Sequence, residues 1–343
     1  MNELALFYPQ GHEAHAERGH PERPARVEAI KDALTNAGVW EEHFFPEPTP
    51  LPDSVLHAIH TPEYLERLRA ASEQGRRLDM DTYITPQSWG LANNGAAGAA
   101  AVANTVWNRE AQRGFALTRP PGHHATPDRP MGFCLLNNVA LAAEYLLQTQ
   151  GARRLAIIDI DLHHGNGTQD IFYRRGEVFF CSSHMYAPGF YPGTGRLEET
   201  GEGQGANTNL NLPWPPHSGD QAISRAMEEI ILPLLERFEP EMLLISAGFD
   251  GHWRDPLGQL LFSADCFGQI IARFAAWADK YCEGRIALVL EGGYDIEAGA
   301  SSALAATHAL LGRPWEDPIG PGPIAESDDW KAVLGRGKEI WGI

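Results

Sequence analysis

The chain has 343 residues, 43% of them hydrophobic, with 27 Lys and Arg against 45 Asp and Glu, for a net charge of −18. Such an acidic balance argues against a nucleic-acid surface and favours the approach of cationic substrates, such as lysine-rich peptides or polyamines. No apolar run reaches the roughly 18 residues of a membrane span, no signal-peptide core is expected, and four dispersed cysteines (Cys134, Cys181, Cys266 and Cys282) predict free thiols in a reducing cytoplasm rather than a disulfide framework.

The first strand is predicted at Leu4–Tyr8, with helices following over Arg23–Ala37, Pro62–Glu73 and Pro86–Asn108. The last of these is rich in Ala and Gly, which suits close packing. A strand at Phe115–Thr118 precedes a helix over Asn137–Gln148, and strands follow at Leu155–Asp161 and Val178–Ser183. Gly219–Phe238 reads as a helix with Ser218 as its cap. Met242–Ala247 (strand), Ala264–Tyr281 (helix), Ile286–Leu290 (strand) and Ile296–Leu311 (helix) continue the alternation. From about Gly312, Pro and Gly cluster and predict a looser tail. Alternating strands and helices predict an α/β fold with a mostly parallel sheet covered on both faces. No composition shift or Ser/Gly linker divides the chain, so one domain is expected across 1–343.

Chemically active residues follow the strands. "FALTRPPGHHA", "DIDLHHGNG", "CSSH", "SAGFD" and "LEGGYD" each begin in an apolar run and end in polar residues, and ligand sites of open parallel sheets lie at the strands' carboxyl ends. In the stretch "LAIIDIDLHHG", alternation along a strand aims Asp159, Asp161 and His163 the same way. Two carboxylates side by side among isoleucines resist ionisation unless a cation joins them. Asp161 and His163 supply two ligands of a catalytic zinc site, and Asp250, after another strand, is the best third. Asp159 then serves a second metal or orients a histidine. His123 and His124, on a rigid Pro-Pro-Gly loop, are candidates for general base. Tyr294, after the Gly292–Gly293 turn, can donate to a developing oxyanion.

At these residues the chain resembles the histone deacetylase and acetylpolyamine amidohydrolase family. The matching motifs are "RPPGHHA" (119–125), "GFCLLNN" (132–138), "DIDLHHGNGTQ" (159–169), "PGFYPGTG" (188–195), "SAGFD" (246–250) and "LEGGY" (290–294), with "HPERPARVEAI" (20–30) similar to the family's opening helix. The resemblance implies a single arginase-like α/β domain around an eight-stranded parallel sheet. It implies Asp161, His163 and Asp250 as zinc ligands, His123 and His124 as the paired histidines, and Tyr294 as the carbonyl-polarising tyrosine. It further implies that Asp159 orients the first histidine and helps to hold a monovalent cation, potassium, with Ser182 and the backbone carbonyls of Asp161, His163 and Ser183. Phe133 and Tyr191 match the aromatic walls of an acyl-lysine tunnel, the Gly132 carbonyl is positioned for the substrate amide, and Arg26 resembles the arginine of an acetate-exit channel. Asn166 stands where class I members carry the aspartate that pairs with the second histidine. His124 is therefore expected to be less basic, and Asn166 with "LEGGY" is class II-like; which histidine is base and which acid stays open. Leu257 stands where a polyamine-specific relative has a glutamate gatekeeper. The rim acid that grips the substrate backbone in class I members has no matching residue here; Asp81 is near in sequence but matches poorly.

The implied function is hydrolysis of an acyl-lysine amide in a protein or peptide by metal-activated water. The alternatives are an acetylpolyamine deacetylase, a dinuclear amidohydrolase of ureohydrolase type, and a non-enzymatic acyl-lysine reader.

Overall fold

Apolar alternation along the strands builds the sheet and its two cores. In the computed structural model, which describes residues 1–41 and 43–343, the strands are β1 (Asn2–Phe7), β2 (Ala111–Ala116), β3 (Leu155–Asp159), β4 (Val178–Met185), β5 (Asn209–Trp214), β6 (Leu243–Ala247) and β7 (Ile286–Leu290). They form one sheet in the order β1-β2-β7-β6-β3-β4-β5, parallel throughout. In β3, Ile157 packs into one core and Ile158 into the other, because successive side chains leave opposite faces. With both faces covered, each fully buried Leu, Ile or Val contributes about 1.5–3 kcal/mol of transfer free energy.

The helices are α1 (Ala25–Asn36), α2 (Asp53–Ile59), α3 (Pro62–Gln74), α4 (Ser88–Trp107), α5 (Asn138–Thr149), α6 (Asn166–Phe172), α7 (Asp220–Ala226), α8 (Leu232–Phe238), α9 (Ala264–Tyr281), α10 (Ile296–Leu310) and α11 (Trp330–Trp341). One face carries α2 to α5, and the other carries α1 and α7 to α11. The small residues of α4 let it lie close to the sheet: a Cβ at Gly98 would fall 2.5 Å from the Phe7 ring.

Several expectations are corrected. Among the described residues the sheet has seven strands, not eight. β5 escapes the sequence pattern because asparagines and Pro213 interrupt its apolar run, and it is tolerated as an edge strand, where a proline's missing N–H costs least. β3 ends at Asp159 rather than Asp161. The predicted helix 219–238 is divided by a π-helical turn, Met227–Ile231, just before Pro233, which has no N–H for a regular ladder. Ser218 does not cap it: its hydroxyl donates to the Pro215 carbonyl. Glu326 does so instead, accepting from the N–H groups of Gly219, Gln221 and Ala222 at 2.8, 3.0 and 2.9 Å. The predicted loose tail ends in α11, whose Trp330, Leu334 and Trp341 are buried in the core.

Candidate active site

The sheet order explains why distant motifs meet. β2, β7, β6, β3 and β4 are consecutive neighbours, so the loops after β2, β7, β6 and β3, bearing His123 and His124, Tyr294, Asp250, and Asp161 and His163, gather at one rim, beside Ser182 within β4.

Beyond β3 the chain does not continue extended. Asp159 Oδ1 accepts the N–H of Asp161 at 3.1 Å, and Asp161 Oδ1 accepts the N–H of His163 at 2.9 Å. Each carboxylate thus folds the backbone two residues on into a turn. These turns, rather than strand alternation, bring Asp161 and His163 together. Asp250 joins them from β6, its Oδ1 accepting from Leu162 N–H at 2.8 Å. Asp161 Oδ2 accepts from Gly292 N–H at 2.8 Å.

All three side chains are buried, and one ligand atom from each lies within 4.8 Å of the others. His163 Nδ1 is 3.2 Å from Asp161 Oδ1 and 3.1 Å from Asp250 Oδ2. Burial works against charge on all of them. It pushes the Asp250 carboxyl up to about 7, with the Asp161 charge adding to the effect. His163 rises to about 9 because its hydrogen bonds to Asp161 and Asp250 outweigh desolvation. Asp161 is nonetheless held below the usual range by the neighbouring His123 and His163. Two buried carboxylates therefore converge on one imidazole proton. A divalent cation in its place satisfies all three groups, and Asp₂His leaves an open coordination position. The cradle around the carboxylates needs glycine: a Cβ at Gly248 would lie 2.0 Å from Asp161 Oδ2, and one at Gly292 would lie 2.3 Å from Asp250 Oδ2. The donor set and its cradle fit a divalent metal ion.

The histidine pair lies beside this cluster. His123 Nδ1 is 2.9 Å from Asp159 Oδ2, and its Nε2 is 3.7 Å from Asp161 Oδ1. Desolvation disfavours its charge, but Asp161 and Asp159 more than offset this and raise its pKa well above the ordinary value. His124 Nδ1 instead meets the side-chain oxygen of Asn166 at 2.7 Å. Desolvation and then the nearby His123 and His163 hold it well below the ordinary value.

Asp159 faces Ser182 across the β3–β4 ladder, and the Ser182 hydroxyl is 2.9 Å from His184 Nδ1. The Ser183 hydroxyl turns the other way and accepts from Trp214 Nε1 at 2.7 Å, so only the main chain of Ser183 is available to a cation beside Asp159.

Above the cluster, a cavity of about 290 Å³ is lined by Gly132, Phe133, His124, His163, Phe190, Tyr191, Leu257, Tyr294 and Asp81. Gly132 and Phe133 both have positive φ, 54° and 69°, and Met131 and Cys134 exchange backbone hydrogen bonds across them. This tight turn, which needs two left-handed residues, aims the Phe133 ring at Tyr294, centroid to centroid 5.7 Å and nearly perpendicular. Phe190, absent from the sequence expectations, stacks on His163 at 5.3 Å and 5°. Asp81 lies in this lining, and its carbonyl is 3.2 Å from His20 Nε2.

Arg26 lies buried behind Tyr294. Its Cζ is 4.7 Å from the ring centroid, and its guanidinium donates to the carbonyls of Gly293 and Glu291 at 2.6 and 2.5 Å. Two further carboxylates went unread in the sequence. Asp255 Oδ2 accepts from the N–H groups of Tyr294 and Asp295 at 2.6 and 3.1 Å, and Oδ1 accepts from Leu257 N–H at 3.0 Å. It thereby joins the tyrosine loop to the tunnel wall. Glu291 is fully buried; its Oε2 accepts from Gly122 and His123 N–H at 2.6 and 3.1 Å, and its Oε1 from the Ser246 hydroxyl at 3.1 Å. Glu291 stands inside the "LEGGY" motif and Asp255 five residues beyond "SAGFD", but apart from Leu257 their partners are more than 35 residues away and left no local signal.

A model of the histone deacetylase domain matches residues 20–310. Over 280 residues, 81% of this chain and 77% of the relative, the chain is 41% identical to a probable deacetylase of Archaeoglobus fulgidus. It is 39% identical to the histone deacetylase-like amidohydrolase of Pseudomonas aeruginosa, over 81% of this chain and 73% of that protein. The crystal structure of the HDA15 HD domain superposes with a TM-score of 0.89 at 32% identity, covering 99% of this chain and 95% of that one.

Proposed function

This chain belongs to the histone deacetylase family, and on that premise we propose that it is a zinc-dependent amidohydrolase that removes acetyl or other acyl groups from the side-chain amine of acyl-lysine. The observation that carries this reading is the Asp161–His163–Asp250 cluster at the floor of an aromatic-walled tunnel, with two histidines and a tyrosine beside it. A narrow, mostly apolar tunnel suits a methylene stem ending in a neutral amide.

Asp161, His163 and Asp250 would hold the ion, which when bound supplies Lewis-acid polarisation of the amide carbonyl and a water of lowered pKa. His124 donates Nδ1–H to Asn166, so its Nε2 keeps a lone pair for a water proton. His123, charged and oriented by Asp159, stabilises negative charge developing at the attacked carbon's oxygen and supplies the proton that the leaving amine requires. Tyr294 donates its phenol hydrogen to that oxygen. Burial, and then the charges of Asp250 and Asp161, keep the phenol protonated despite the opposing Arg26. Asp159, with Ser182 and neighbouring carbonyls, supports a potassium site. The test is a panel of acetyl-lysine peptides and acetylated polyamines assayed with zinc-loaded protein. Turnover of the peptides is expected; turnover of acetylspermidine alone would replace this substrate with a polyamine, and no amide turnover would overturn the reading.

A further inference from the structure

The mechanism above gives the Tyr294 phenol its task but not the means that hold it over the cluster. Tyr294 follows two glycines, and Gly293 has φ 117°, a backbone state that favours glycine. Such a turn has little stiffness of its own, whereas a displacement of about 1 Å at a reacting group can cost about a hundredfold in rate. The turn is gripped from two sides. Arg26 donates to the carbonyls of Gly293 and Glu291 at 2.6 and 2.5 Å. Asp255 Oδ2 takes the opposite groups, the N–H of Tyr294 at 2.6 Å and that of Asp295 at 3.1 Å. A cation thus holds the carbonyls of the turn and an anion its N–H groups.

The second oxygen of Asp255 serves the tunnel. Oδ1 accepts from Leu257 N–H at 3.0 Å, across Pro256, a turn closed by the acid's own side chain. Leu257 lines the same cavity as Tyr294. Asp255 is only 5% exposed, and its own N–H donates to the His252 carbonyl at 2.8 Å, which ties it to the loop after β6. One buried carboxylate therefore sets the backbone of a wall residue with one oxygen and that of the tyrosine with the other. We infer that Asp255 is a positioning residue: through these backbone N–H groups it keeps the Tyr294 phenol in register with the tunnel wall, so that an amide delivered along the wall meets its hydrogen-bond donor. This inference rests on the amidohydrolase reading and extends it to a residue outside the tunnel lining.

The test is a double-mutant cycle with zinc-loaded protein and an acetyl-lysine peptide: the parent, Asp255→Asn, Tyr294→Phe and the double variant. Asparagine keeps the size of the acid but turns one of its two acceptors into a donor that faces N–H groups. Asp255→Asn is expected to lower kcat roughly tenfold while KM stays within about twofold. In the Tyr294→Phe background no phenol is left to misplace, and the same substitution should change kcat by less than about twofold. Zinc content should match the parent in all four proteins. Equal falls in both backgrounds would make Asp255 a general support of the fold and overturn the inference. Loss of zinc would assign the acid to the Asp250 loop and also overturn it, as would an unchanged kcat in Asp255→Asn. Asp255→Ser, which keeps a single acceptor, supplies the same cycle where the asparagine variant fails to fold. A parent that hydrolyses no acetyl-lysine peptide removes the proposed function itself, and this role with it.

Discussion

Asn166 Oδ1 lies 2.7 Å from Nδ1 of His124, an amide where the adjacent histidine has a carboxylate. Asp159 stabilises the charged form of His123, whereas Asn166 fixes the tautomer of His124 without adding charge. With no anion paired to it, His124 stays neutral, and burial and its cationic neighbours hold its pKa well below the ordinary value. Replacing Asn166 with Asp supplies that anion. Because the active form of a general base is the unprotonated one, the acid limb of the kcat/KM profile should move to higher pH in Asn166→Asp, with the plateau less affected. Rate profiles across acid to neutral pH check this; an unmoved limb would remove His124 as the base.

Tyr294→Phe should raise the barrier by about 2–4 kcal/mol, the cost of one lost oxyanion donor, with bound metal unchanged. Steady-state kinetics on an acetyl-lysine peptide measure it, and a near-parental kcat would refute the assignment.

Metal removal provides the next prediction. Chelation should abolish turnover, and zinc should restore it at one ion per chain. At 100 times its Kd, zinc should stabilise the fold by about 2.7 kcal/mol. Asp250→Asn should lower affinity by weakening the ligand set. Elemental analysis and thermal melts with and without zinc report both effects, and two tightly bound ions per chain would favour a dinuclear mechanism.

Glu291 supports the histidine turn through two backbone N–H groups. Glu291→Ala should leave these donors buried and unpaired, at a cost of about 1–3 kcal/mol each, and should depress kcat more than it raises KM. Glu291→Gln keeps an acceptor oxygen for the turn and can donate to Ser246, so it should recover most of the rate. Loss of activity in both variants alike would point to the charge rather than the positioning.

Glu326→Ala removes the cap from α7 and should destabilise the protein by about 1 kcal/mol, within the range for a lost N-cap. Urea unfolding with unchanged kinetics per folded molecule is the expected signature. No change in midpoint would deny the tail its stabilising role.

The residues of the site were legible because chemistry and local pattern coincide in them. Apolar β-rich runs that end in Asp, His or Gly-Tyr mark strand ends, and the donor types Asp161, His163 and Asp250 name a class of metal. Tyr191 was legible as a wall, but the partners of Glu291 and Asp255 and the stacking of Phe190 were not, since pairing depends on what the folded backbone brings near. β5 was lost because an edge strand tolerates the asparagines and proline that look like a turn. Trp330 and Trp341, in a tail rich in proline and glycine just before them, gave no periodic signal strong enough to predict α11.

By itself the sequence determined which side chains are available and that most of them follow strands, because alternation and turn chemistry act within a few residues. Only the tertiary structure decided that β2, β7, β6 and β3 lie side by side, and that Asp161 accepts from the Gly292 N–H and Glu291 from the N–H groups of Gly122 and His123. Strand order and carboxylate-to-backbone bonds over more than a hundred residues depend on the packing of the whole sheet, and no short window contains that information.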